Sequence, residues 1–108
     1  MSVSDEFTEY VLDQFSQWCP VTARKMFGGV GLYCESRMFG LIADDVAYLK
    51  VDDSNRNEFI EAGSSPFKPY PDKSTTMSYF EIPPDILDDP EKLAKWAEKS
   101  LVIQKRKK

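Results

Sequence analysis

The middle of the chain is a run of short β-prone segments broken by pairs of polar residues, a pattern that leaves few folds open. "ARKMFGGVGLYCE" alternates loosely, "SR" at Ser36 and Arg37 interrupts it, and "MFGLIAD" follows. "DD" at Asp44 and Asp45 then turns the chain into "VAYLKVD". β-Branched and aromatic runs separated by two-residue polar turns predict consecutive antiparallel hairpins. A three-stranded meander is the expected product. "MSYFEIP" reads as a fourth strand, ended by Pro83 and Pro84.

Helical patterns flank these strands. Phe7, Tyr10, Val11, Phe15 and Trp18 recur at spacings of three and four, drawing one apolar stripe over residues 5–18. Ser4 is placed to cap this helix, Asp5 and Glu6 suit its positive end, and Pro20 stops it. A short helix is expected over residues 55–62. Ser54 or Asn55 would cap it, Glu58 would complete a capping box, and Gly63 would terminate it. A Pro/Ser/Thr-rich loop, "SSPFKPYPDKSTT", comes next. The last helix should begin after Asp89 with Pro90 at its first position, and bury Leu93, Trp96, Ala97 and Leu101. Strands grouped between helices indicate an α+β fold, an antiparallel sheet with the N- and C-terminal helices packed on it. A length of 108 residues suits one domain over residues 1–108, with residues 105–108 as a basic tail.

Three of the five glycines fall within "RKMFGGVGLY", residues 24–33. A phosphate loop needs a strand that ends where a helix begins, so that amides and helix dipole converge on the anion. Here Gly28, Gly29 and Gly31 run on into "LYCE", a strand pattern, and the G-x-G-x-x-G and GK[ST] spacings are absent. A bulge or bend in a single strand is the favoured reading. A ligand-sized gap left by the missing side chains is the alternative.

Little in the chain suggests catalysis. Without histidine it lacks the usual general base and the commonest metal ligand. The pairs Asp44–Asp45, Asp52–Asp53 and Asp88–Asp89 lie at turns or helix starts, where aspartate serves the backbone. No catalytic, metal or cofactor residues are assigned. Cys19 and Cys34 could form one disulfide, but their spacing is not that of a redox or metal pair, and reduced, buried thiols are expected. The net charge is −4, with 14 basic and 18 acidic side chains, and a nucleic-acid binder usually shows a basic footprint. No apolar run approaches the roughly 20 residues of a membrane span. A cytoplasmic location is the expectation.

The blocks "R-x-MFGG-x-GLY", "MFGLI", "YLKVD", "PF" at Pro66–Phe67 and "YFEIP" occur in one order over residues 15–101. Together they resemble the amino-terminal domain of the TfoX/Sxy competence regulators. The resemblance implies a small α+β domain associated with control of natural transformation and DNA-uptake genes. Full-length members carry a second, helical domain, so a stand-alone amino-terminal domain is expected here. Arg24, Met26, Phe27, Gly28, Gly29, Gly31 and Tyr33 match the signature, and Lys50, Phe67 and Tyr79 fall in its other blocks. These ten are the candidate interaction residues, structural first.

A non-enzymatic adaptor with a protein partner is thus the leading reading, with Tyr48, Phe67 or Tyr70 as exposed aromatic contacts. A nucleic-acid binder acting through Arg24, Lys25 and the tail is less favoured. A small-ligand domain with a pocket beside residues 28–31, and Cys34 as its reactive group, is the third. An open sheet edge also leaves a homodimer open.

Overall fold

A computed structural model describes residues 5–26, 29–66 and 79–106. In chain order the elements are α1 (Asp5–Phe15), β1 (Thr22–Met26), β2 (Gly29–Cys34), β3 (Arg37–Ala43), β4 (Val46–Lys50), α2 (Arg56–Glu61), β5 (Tyr79–Glu81), α3 (Pro84–Leu87) and α4 (Pro90–Arg106). The five strands form one antiparallel meander, β1-β2-β3-β4-β5. α4 packs across β3 and β4, with α1 and α3 against it. This is the expected α+β arrangement.

Residues 22–34 form two strands where the sequence reading had one bent strand. Thr22 pairs with Tyr33, Arg24 with Gly31, and Met26 with Gly29. The strands therefore join across positions 27 and 28, which lie outside the described residues. The next two hairpins turn at Glu35–Ser36 and Asp44–Asp45, all four with positive φ between 54° and 66°. That left-handed pair is the two-residue turn whose twist matches its flanking strands. The first turn sits one residue before the "SR" expected from sequence.

A bulge does occur, but on β3. Leu32 pairs with Gly40 whereas Tyr33 pairs with Met38, so Phe39 has no partner on β2. Side chains alternate along a strand, and the extra residue resets that alternation. Phe39 consequently joins Ile42 in the core beneath the helices, while Met38 and Leu41 lie on the opposite face. There Phe39 meets Phe15 edge-on at 5.2 Å and Trp18 at 5.1 Å between ring centroids. Such pairs add about 0.5–1.5 kcal/mol beyond area burial.

The helices follow the sequence with three differences. α1 ends at Phe15 and finishes in turns, where the Phe15 carbonyl accepts the Trp18 and Cys19 amides at 2.9 and 3.1 Å. Pro20 disfavours helix at Cys19, so these turns do not extend further as helix. Ser4, its expected cap, is outside the described residues. α2 forms without the expected capping box. The buried Asn55 side chain instead accepts the Asp52 amide at 2.9 Å and donates to the Lys50 carbonyl at 3.1 Å. Gly63 does terminate it, at φ 81°. α3 forms where the sequence predicts only the proline end of a strand. Pro83 is extended at φ −57°, ψ 140°, and Pro84 occupies the first helical position, where its missing amide costs nothing.

In α4, Asp89 Oδ1 accepts the Glu91 and Lys92 amides at 3.1 and 3.3 Å, capping the helix. Leu93, Ala97 and Leu101 are buried as expected, and Ser100 and Ile103 extend the stripe. Trp96 is half-buried and meets Phe59 at 4.6 Å.

The cysteines correct another expectation. Cys19 and Cys34 are joined in a disulfide with Cα atoms 6.6 Å apart, not held as two thiols. The turns after α1 bring Cys19 over the end of β2, a proximity that a 15-residue separation does not reveal. Closing a loop of that length stabilises a fold by about 3 kcal/mol in the chain-entropy account.

Gly40 tests the close approach of β3 to β4. A Cβ there would lie 2.6 Å from the Tyr48 carbonyl oxygen, a backbone atom that cannot swing away. Gly40→Ala is expected to destabilise the fold by about 1–3 kcal/mol in urea titrations. Gly63→Ala, strained only at its own φ, is expected to cost about 1 kcal/mol. Equal losses would show that the crowding at Gly40 is relieved elsewhere.

Candidate functional site

The register places the candidate residues. In one row across the sheet, Thr22, Tyr33 and Met38 are neighbours, with Lys50 and Tyr79 paired on the far strands. In the next row are Arg24, Gly31, Leu41, Tyr48 and Glu81. Met26, Gly29, Ala43 and Val46 make a third. Paired residues share a face. Arg24, Gly29, Gly31, Tyr33, Lys50 and Tyr79 therefore occupy the sheet face opposite the helices, and Met26 takes the same register position. Phe27, Gly28, Phe67 and Tyr70 lie outside the described residues.

Two cation–ring pairs mark this face. The Arg24 guanidinium lies 5.3 Å from the Tyr33 ring centroid. The Lys50 ammonium lies 5.2 Å from that of Tyr79. Each such pair is worth about 0.5–2 kcal/mol, more as water is excluded. Their exposure differs sharply. Lys50 is 9% exposed and Tyr79 6%, and Leu41 and Ala43 are buried beside them. Arg24 is exposed and Tyr33 half-buried. These two rim a cleft of about 270 Å³ with Thr22, Glu35 and Ser36.

α4 reaches the turn and strand beside the cleft. Lys105 bridges Glu35 at 3.3 Å, and Gln104 Nε2 donates to the Met38 carbonyl at 2.5 Å. Glu35, Thr22 and Leu41 went unnoticed in the sequence. The bulge at Phe39 shifts the alternation along "MFGLI", and with it the pattern that would have placed Leu41 with Tyr33.

Ionisation on this face moves away from neutral chemistry. Burial raises the Tyr79 phenol above its ordinary 10.0, and the nearby Tyr33 phenol adds to it. Burial also raises Tyr48, with Glu81 and Asp44 contributing. Neither phenol is a base or nucleophile near pH 7. The disulfide occupies the Cys34 thiol, so the reading of that residue as the reactive group of a ligand pocket is withdrawn. Among the described residues no three Cys, Asp or Glu gather as a metal site, and no helix is long and apolar enough to cross a membrane. The arrangement suits recognition, since Arg and Tyr at a cleft rim are the residue types that dominate interface energies.

The raised Tyr79 value fixes a pH dependence. The unfolded phenol titrates near 10.0 and the folded one higher. Its stability contribution is therefore complete below pH 10 and is lost as pH rises from there through the folded value. Tyr79→Phe is expected to flatten the alkaline fall in stability, followed by denaturant titrations above pH 9. An unchanged fall would assign it to other tyrosines.

Comparison with known proteins identifies the family. The TfoX N-terminal domain family matches residues 13–102. "DNA transformation protein TfoX1" of Aliivibrio fischeri (strain ATCC 700601 / ES114) is 39% identical over 61 residues, 55% of this chain. The match spans 29% of that relative's length. With the whole sheet and most of α4 inside the matched span, the chain belongs to the TfoX N-terminal domain family.

Proposed function

We propose that this domain is a regulatory adaptor in the control of DNA-transformation genes, acting by contact with a protein partner at the Arg24–Tyr33 cleft. Family membership and the relative's name support the regulatory setting. The observation that carries the contact is the reachable Arg24–Tyr33 pair, standing at the rim of a face whose other signature residues are buried. The expected aromatic contact Tyr48 is half-buried and lies further in.

Self-association through the sheet is disfavoured. The β5 edge is occupied, with Pro66 bridging Phe80 and the Glu81 amide donating to Ser65 at 3.0 Å. The β1 edge carries Arg24 and Lys25, and two copies pairing there would bring like charges together.

A second reading rests on α4. Lys92, Lys95, Lys99 and Arg106 recur at spacings that put them on one side of the helix, a basic stripe suited to phosphates. Glu58 already pairs with Lys99 at 2.6 Å, so the stripe is partly matched within the chain.

A pull-down with the tagged chain distinguishes these readings. A defined protein should be retained after nuclease and high salt, and Arg24→Ala or Tyr33→Ala should cut its retention by about thirtyfold, the equivalent of a 2 kcal/mol contact. Circular dichroism confirms that the variants fold. Full retention by both variants would remove this cleft as the contact. Recovery lost to nuclease or salt would transfer the function to the α4 stripe and nucleic acid.

A further inference from the structure

The two sulfurs of the disulfide have unequal surroundings. Cys34 is 1% exposed, on the core side of β2. Cys19 is partly exposed, in the segment that leads from α1 into β1. β1 is an edge strand whose one neighbour in the sheet is β2, and Cys19 lies three residues before its first residue, Thr22. The bridge thus ties the lead-in of the least supported strand to the end of the strand beside it. Both walls of the Arg24–Tyr33 cleft adjoin this tie, for Cys34 stands between Tyr33 and Glu35.

We propose that Cys19–Cys34 is a thiol–disulfide exchange site, with Cys19 the sulfur that is attacked and a low-molecular-weight thiol such as glutathione the co-reactant. The thiolate approaches Cys19 Sγ, because burial closes the route to Cys34. The Cys19–Cys34 bond breaks, a mixed disulfide forms on Cys19, and Cys34 leaves as a thiolate that takes up a proton. A second thiolate attacks the small-molecule sulfur of that mixed disulfide. The Cys19 thiolate is released and protonated, and the two small thiols leave as one disulfide. Two electrons pass to the protein, which gains two thiols. In the oxidising direction Cys34 is the resolving thiol, displacing the adduct from Cys19. Reduction frees the lead-in to β1 and loosens that strand, while α4 and the central strands keep their core. The exchange chemistry stands independently of which partner occupies the cleft.

The test equilibrates the full chain in glutathione buffers from oxidising to reducing, quenches it with acid and maps adducts by mass spectrometry. A glutathione adduct should appear on Cys19. Once reduced, Cys19 should alkylate at least about tenfold faster than Cys34 under native conditions, the buried thiol being inert. Amide exchange over residues 22–25 should speed by about tenfold on reduction while α4 keeps its protection, the signature of local rather than global opening. Cys34→Ser, which lacks the resolving thiol, should hold the Cys19 adduct as its end product in oxidising buffers, lose it only to added thiol, and reproduce the fast β1 exchange without any reductant. An adduct on Cys34, a bridge that survives every buffer, or β1 exchange unchanged by reduction would each overturn the proposal. Loss of α4 protection together with β1 would also overturn it, by making the bridge a global staple.

Discussion

The register shift opposite Leu32 and Tyr33 decides how this small domain divides its side chains. Without the extra residue on β3, strict alternation would carry Phe39 to the face opposite the helices. It would remove the ring that Phe15 and Trp18 both meet edge-on. With the shift, one large aromatic enters the core, and Gly40 beside it lets the strands approach closely. Met38 then joins Leu41 on the face that carries Tyr33, Lys50, Tyr48 and Tyr79. A single unpaired residue thus adds Phe39 to the helix-side core and sends Met38 to the opposite face.

Apolar packing alone would leave the helices free to slide over such a sheet, and directional contacts limit that freedom. The Lys50 carbonyl accepts from Asn55 Nδ2 and from Ser100 Oγ at 2.8 Å, joining β4 to the chain before α2 and to α4. These groups are buried, so leaving any one unpaired would cost more than the bond itself contributes. Trp18 Nε1 donates to Glu98 at 2.9 Å and Gln14 Nε2 to the Leu87 carbonyl at 2.8 Å, fixing α1 against α4 and α3. Hydrophobic burial drives the assembly, and these bonds choose its alignment.

Much of this was legible because period and punctuation agree where each element is local. The apolar stripe of α4, the Asp44–Asp45 turn and the Gly63 terminator all follow from nearby residues, and each stands where expected. Features set by distant partners were not legible. Asn55 has the sequence of a helix cap, yet it spends its amide on Lys50 and Asp52. The glycine-rich run gave no local sign that the chain reverses there, since strand residues lie on both sides. The disulfide depends on how α1 docks, which no spacing of 15 residues reports. For the candidate site, sequence supplied the residues and the sheet supplied their common face.

That common face also explains why its residues resist a simple division into structural and functional. A lysine buried to 9% exposure must recover what it loses in leaving water, and a ring face beside it with neighbouring polar groups is one means of doing so. Lys50 and Tyr79 are therefore bound into the fold, and changing either disturbs the sheet before it disturbs a partner. Arg24 and Tyr33 make the same kind of pair in a different place, at the border between an edge strand and its neighbour, where water and a second molecule can reach them. An Arg held against a ring loses less freedom on binding than one ranging through solvent, which favours recognition at that corner. In the proposed reading the burden of contact falls on the pair at this edge strand, and the rest of the face serves to hold it in position.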